Sequence, residues 1–170
     1  MEFELKKWDL TYLNDFLKAT DDPELAENMC ENLPYPMDNA FAFEYIKERL
    51  LNSEEKQICR AVVIDGHAIG GADVILGSGD FQKSAEISVW LARQYRGKNI
   101  GSAVIARICR EAFEKFDIVR ISAHPLSAHK MVGTALETAG FRHEGTLRKA
   151  IFKNGKIYDY EIYAVLRGEI

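Results

Sequence analysis

The run Gln94-Tyr95-Arg96-Gly97-Lys98-Asn99-Ile100-Gly101-Ser102 constrains this chain more than any other stretch. A strand-like segment, 85–91, leads into it, and an amphipathic helical pattern, 100–115, leads out. A glycine-bearing turn between a strand and a helix leaves several backbone N–H groups without intrahelical partners, all pointing one way. The helix dipole adds partial positive charge there, and Arg96 and Lys98 add two full charges. Together these features make a seat for a phosphate-bearing ligand. The turn is not a dinucleotide fingerprint, because Gly-x-Gly-x-x-Gly is absent, and it lacks the Gly-Lys-Ser/Thr ending of a Walker loop.

The rest of the chain narrows the setting. Its 170 residues suffice for one buried core, so one domain over 1–170 is expected. A net charge of -4 argues against broad nucleic-acid binding, which needs a basic face, and suits a cationic substrate such as an amine. Cys30, Cys59 and Cys109 form no paired framework and fall in periodic segments expected to be buried; a reducing cytoplasm is the simplest home. No His/Cys/Asp cluster has metal spacing, and no apolar run is long enough to span a bilayer.

Periodicity predicts a short strand over 3–6, a helix over 10–19, and a helical turn or two within 21–29. Leu33-Pro34-Tyr35-Pro36-Met37 must be irregular, and Asp38 is placed to cap a helix running to about Leu51. Segments 58–64 and 68–76 read as a hairpin about Asp65-Gly66; 77–82 is a loop and 85–91 a strand. The helix over 100–115 turns Val104, Ile105, Ile108, Cys109, Ala112 and Phe113 inward, and a strand follows over 118–123. A helix over 127–139 turns Ala128, Met131, Val132, Ala135 and Leu136 inward and is capped by Gly140. Asn154-Gly155 joins strands 141–152 and 156–166, the last of which is expected to be an open edge. The 85–123 unit requires a parallel crossover among antiparallel hairpins, so the sheet is mixed. Open α/β sheets bind ligands at the carboxyl end of such a strand.

With these residues in order, the chain resembles the GNAT superfamily of acyl-CoA-dependent N-acyltransferases. That family carries (Gln/Arg)-x-x-Gly-x-(Gly/Ala) between a strand and its central helix. Gln94 and Gly97 match; Asn99 departs at the last position, although asparagine tolerates positive φ. The likeness is closer to the RimJ/RimL branch, which acetylates ribosomal-protein N-termini. It is carried by Leu33-Pro34-Tyr35-Pro36, Ala85-Glu86-Ile87, 136–145 and 154–163, and it covers nearly the whole chain. The resemblance implies an α/β (α+β) fold: a mixed, mostly antiparallel sheet with one central parallel strand–helix–strand unit and helices on both faces.

It also implies acetyl-CoA as acyl-donor co-substrate and direct attack by a primary amine, a protein N-terminus or a small amine, in a cytoplasmic monomer or homodimer. Backbone groups of Val89 and Leu91 would pair with the pantetheine arm. The turn from Gln94 through Arg96, Gly97, Lys98, Asn99, Ile100, Gly101 and Ser102 would hold the pyrophosphate, with the Ser102 hydroxyl as an extra donor. His129 stands where the branch carries Asn-x-x-Ser, near the coenzyme. Glu86 is the candidate general base; a solvated or cross-strand charge is the competing account of a glutamate at a strand's start. Leu136 replaces the family's frequent tyrosine acid, but a thiolate with pKa ~8.5 leaves without strong help. Tyr35, Pro36 and Phe43 are candidates for the acceptor groove, with core packing as the alternative. Asp21, Asp22, Glu24, Glu27 and Glu31 either attract a cationic acceptor or form a helix's solvated face. His67, His124 and His143 read as hairpin, strand-end and solvated residues. The competing functions are a non-catalytic acyl-CoA-binding regulatory module and a binder of other phosphate metabolites.

Overall fold

Two tight turns set the antiparallel arms of the sheet. In the computed structural model, which describes residues 2–29 and 33–170, Asp65-Gly66 has φ of 50° and 82°, and Asn154-Gly155 has 51° and 76°. Positive φ at both central residues matches the twist of the flanking strands. The first turn joins β2 (Gln57–Ile64) to β3 (His67–Leu76), and the second joins β6 (Arg142–Lys153) to β7 (Lys156–Leu166). With β1 (Glu4–Lys6), β4 (Ser84–Leu91) and β5 (Arg120–Ala123) they form a sheet in the order β1-β2-β3-β4-β5-β7-β6. Every described pair is antiparallel except β4 with β5. The expected mixed sheet with one parallel unit is therefore present. The last strand is not an edge: β7 lies between β5 and β6, and β6 takes the edge. Chain order does not specify this, because β7 must cross β6 to reach β5.

The helices fall where local signals put them. Asp9 Oδ1 accepts from Thr11 N–H at 2.8 Å and opens a 3-10 turn that leads into α1 (Leu13–Thr20). Asp22 caps α2 (Pro23–Asn28) and Asp38 caps α3 (Asn39–Leu50), each through a side-chain oxygen on the second helical N–H. The central helix α4 (Ile100–Lys115) buries the expected 3.6-residue stripe, Val104, Ile105, Ile108, Cys109, Ala112 and Phe113. α5 (Lys130–Thr138) begins three residues later than expected. It ends in a Schellman arrangement: Phe141 N–H donates to Leu136 O and Gly140 N–H to Glu137 O, both at 3.0 Å. The burial expected of Cys30 and the reading of Glu31 lie outside the described residues.

The sheet separates two apolar layers. On one face Ile58, Val62, Ala72, Val74, Ala85, Ile87 and Leu91 pack against α4 and the buried side of α5. On the other, Cys59, Ala61, Val63 and Trp90 meet Trp8, Phe16, Tyr45 and Ile46 from the first turn, α1 and α3. Strand alternation decides the layer, so residues of β4 two apart share a face.

A knot of charge ties the edge of the sheet to α4. Glu54 receives Arg60 Nη1 at 2.6 Å and Lys7 Nζ at 3.2 Å, and pairs with Lys115 on α4. Arg60 foremost holds the Glu54 pKa down to about 2; burial is the next influence and opposes it, and Lys115 and Lys7 add to the lowering. A carboxyl depressed in the fold stabilises above its unfolded pKa of 4.5 and loses that contribution as pH falls toward 2. Glu54→Gln is therefore expected to lower stability at pH 7 by at most about 3 kcal/mol and to flatten the acid limb between those pH values. Urea midpoints measured across pH for both proteins check this.

Candidate active site

The parallel pair supplies the opening. β4 and β5 are in register at only three positions, Ser84↔Arg120, Ala85↔Ile121 and Glu86↔Ser122, and beyond them the strands part. β4 continues to pair with β3 as far as Leu91. Gly77 N–H donates to Ser84 O and Ala92 N–H to Ile69 O, both at 2.8 Å, so even-numbered residues of β4 spend their backbone groups on β3. The odd-numbered residues direct theirs to the other side. Past the last paired position, the N–H and C=O of Val89 and the N–H of Leu91 face the gap with no strand opposite. Leu91 O accepts from Arg96 Nε at 2.9 Å.

The turn after β4 forms the second wall. Gly97 has φ of 70° and Asn99 of 59°. Asparagine is among the few side chains that enter this left-handed region at modest cost, which lets it stand where the pattern prefers glycine. The first backbone bond of α4 runs from Ala103 N–H to Asn99 O at 3.3 Å. The N–H groups of Ile100, Gly101 and Ser102 therefore lie outside the helix's own ladder and at the positive end of its dipole.

The two walls bound a cleft of about 1490 Å³. Single drug-sized ligands occupy roughly 300–1,000 Å³, so there is room for a long ligand and a second molecule. Of the residues expected at the site, Glu86, Val89, Leu91, Arg96, Gly97, Asn99, Gly101, Ser102 and His129 line it. Gln94 and Lys98 are exposed outside it, and Ile100 buries its side chain in the core, bringing only its N–H to the turn. Tyr35, Pro36 and Phe43 do not line the cleft: Tyr35 is 53% exposed, and Phe43 sits 5.8 Å from the Lys47 ammonium on the surface of α3.

Three expectations change in detail. Arg96 does not offer a free cation: Nη2 lies 2.8 Å from Asp22 Oδ2, an ion pair off hydrogen-bond alignment, and Nη1 lies 3.4 Å from Glu24 Oε2. It ties the turn to the start of α2, and the donors the turn presents to the cleft are backbone N–H groups. The Ser102 hydroxyl donates to Asn99 O at 3.0 Å, so its proton is held within the turn. Met131 and Val132 are not core residues; 61% and 43% exposed, they line the cleft. Helical periodicity marks an apolar stripe without saying whether it faces a core or a groove.

The acids of the second helix also divide. Asp22 is buried against Arg96, and Glu27 binds the Tyr158 hydroxyl at 3.2 Å and Lys156 at 3.5 Å. Glu24 lines the cleft with Leu25, Asn28 and Met29. The tip of the β6–β7 hairpin reaches over to α2, where Lys153 Nζ donates to Ala26 O at 2.8 Å and to Met29 O. Burial holds the His129 imidazole below its ordinary pKa, which favours the neutral ring at the head of α5.

Sequence reasoning took His124 for a strand-end residue with no part in the site, and passed over Ser88 and Ser122 near Glu86. Even-numbered positions of β4 and β5 face the α1–α3 side of the sheet, so Glu86, Ser88 and Ser122 share one wall of the cleft, which His124 also lines just past β5. His124 Nε2 lies 3.0 Å from Ser122 Oγ, and its ring stacks on Tyr160 at 5.3 Å between centroids. The available signal was the position of His124 just past the carboxyl end of a parallel strand. Deeper on the same face, Asp73 Oδ2 accepts from Arg49 Nε at 3.0 Å and Nη2 at 2.7 Å, and the guanidinium lies 3.3 Å from the Tyr45 ring centroid. Among the described residues no group of three or more His, Cys, Asp or Glu could hold a metal ion, and no helix is long and apolar enough to cross a membrane.

Comparison with known proteins places this architecture. Residues 2–142 match the family model described as an acetyltransferase (GNAT) domain. A putative ribosomal N-acetyltransferase, YdaF of Bacillus subtilis (strain 168), is 29% identical over 87 residues, 51% of this chain. That match spans about half, 48%, of the relative's own length. Among solved structures, RimL, a ribosomal L7/L12 alpha-N-protein acetyltransferase in complex with coenzyme A, superposes with a TM-score of 0.83 at 17% identity, covering 96% of this chain and 93% of that one. Spermidine N-acetyltransferase from Vibrio cholerae, in complex with CoA and spermine, gives 0.80 at 18% identity over 98% and 96%. At such identities the likeness is one of fold.

Proposed function

The chain belongs to the GNAT acetyltransferase family, and on that premise we propose that it transfers an acetyl group from acetyl-CoA to a primary amine, a protein N-terminus or a small polyamine. The observation that carries the proposal is the joining of two unpaired backbone surfaces in one cleft: the N–H groups at the head of α4 and the free edge of β4 at Val89 and Leu91. The first suits a diphosphate, because its donors and the helix dipole point the same way. The second suits an amide-bearing arm, which can add to the strand edge as another strand would. The solved relatives named above hold coenzyme A, one with a ribosomal-protein acceptor in its name and one with a polyamine bound, which supports this assignment of donor and acceptor class.

The chemistry then follows from position. An amine entering from the α2 side meets the thioester carbonyl beside β4, and the developing oxyanion is held by a backbone N–H of the parted strand. The C–N bond forms, the C–S bond breaks, and the electron pair leaves on sulfur. Glu86, exposed at the point where the strands part, is the general base, directly or through water. The demand on it depends on the acceptor. Near pH 7.4 an α-amine of pKa ~7.8 is about one-quarter free base, whereas an alkylamine of pKa ~10.4 is about one part in a thousand.

The test is thiol release from acetyl-CoA with spermidine and with peptides beginning in Ala, Ser or Met. Glu86→Gln is expected to lower kcat at least tenfold while CoA affinity, measured by calorimetry, changes less than about twofold. Coenzyme binding without turnover across the panel would favour a non-catalytic acyl-CoA-binding module instead.

A further inference from the structure

We propose that His124, acting through Ser122, is a second proton acceptor of the transfer reaction, on the opposite strand from Glu86; this rests on the acyl-transfer reading above. Three observations converge on it. Register fixes Ser122 directly across the parallel ladder from Glu86, at the last paired position before the strands part. Ser122 Oγ lies 3.0 Å from His124 Nε2, a shorter contact than its 3.4 Å approach to Ala85 O. All three side chains line the cleft, His124 half-buried with its ring steadied against Tyr160.

The arrangement gives a short relay. With the His124 proton on Nδ1, Nε2 accepts from the Ser122 hydroxyl, and Ser122 Oγ keeps lone pairs for an N–H of the incoming amine. As the C–N bond forms, the amine's proton passes to Ser122 Oγ while the Ser122 proton passes to Nε2. The serine is regenerated and an imidazolium remains. When the C–S bond breaks, that proton is returned to the coenzyme thiolate, giving the free thiol, so protons balance with no further reactant. Leu136 stands where the family often places a tyrosine acid, and it is 2% exposed with no polar atom to offer. An imidazole that both takes and returns the proton supplies what Leu136 cannot. Glu86 then has the distinct task of drawing a cationic amine to the parting of the strands and, as the first base, taking the proton that frees its lone pair for attack.

The relay is tested with His124→Gln, which keeps a flat polar side chain beside Tyr160, with Ser122→Ala, and with His124→Ala assayed in added imidazole. His124→Gln is expected to lower kcat at least tenfold with the KM for acetyl-CoA within about twofold, and the loss should be larger for spermidine than for an N-terminal peptide. Ser122→Ala should fall in the same direction, and imidazole should restore part of the His124→Ala rate. A structural role predicts neither the dependence on acceptor basicity nor the rescue. A His124→Gln enzyme with unchanged kcat overturns the proposal, as does a His124→Ala loss that imidazole leaves untouched. Should the natural protein bind CoA yet release no thiol with any of these acceptors, the acyl-transfer reading falls, and the relay with it. An active natural protein matched by His124→Gln removes the relay alone.

Discussion

Gly101→Glu should weaken CoA binding about a hundredfold, ~2.7 kcal/mol, without unfolding the protein. Gly101 sits in the first turn of α4 and lines the cleft, and a Cβ built on it meets only Leu91 Cδ1 at 3.8 Å. A Cβ is accommodated there, and a side chain extending from it enters the cleft beside the seat proposed for a diphosphate. Arg96 cannot offset the added charge, because Asp22 and Glu24 already hold its guanidinium. Stability should move the other way. A carboxylate in a helix's first turn gains about 0.3–1 kcal/mol from the dipole, and replacing glycine removes a comparable propensity cost. Calorimetry for affinity and thermal melts for stability should therefore diverge. A variant that binds CoA as well as the natural protein would place the phosphates elsewhere.

The second large effect lies beneath the acceptor side. Asp73→Ala should cost about 3–5 kcal/mol, because it removes the carboxylate to which Arg49 Nε and Nη2 both donate in a buried setting. The two side chains are only 12% and 6% exposed, and Asp73 Oδ1 has no hydrogen-bond partner among the described residues. Burial pushes the Asp73 pKa up by more than Arg49 pulls it down, so desolvation offsets the attraction and the pair's net contribution is small. Removing one partner is costly for that reason, and removing both is not. Arg49→Met combined with Asp73→Leu should recover most of the stability lost by Asp73→Ala, as read from urea midpoints. A double variant as unstable as the worse single one would contradict this account of the pair.

What could be seen beforehand was local. The αL-tolerant Asn99, the Asp65-Gly66 and Asn154-Gly155 turns, the Asp38 cap and the α4 stripe each depend on a few neighbouring residues, and each appears where expected. The shape of the turn proposed to seat a diphosphate belongs to this group, since one turn and one helix end make it. What stayed hidden depends on distant partners. Arg96 looks like a free cation in the sequence because its partners Asp22 and Glu24 come from more than seventy residues earlier. Met131 and Val132 satisfy helical spacing, and only the placement of β4 and β5 shows that they face an open cleft. The inner position of β7, and the meeting of Glu86 with Ser122 and His124, come from strand order and register, which no short pattern encodes.

The most direct measurement is a crystal structure of the protein with acetyl-CoA bound. The account expects the diphosphate within hydrogen-bonding distance of backbone N–H groups between Gly97 and Ser102, and the pantetheine amides along Val89 and Leu91, with the thioester near Glu86 and Ser122. Coenzyme bound with its phosphates away from that turn, or a parted strand pair filled by the protein's own side chains, would contradict it.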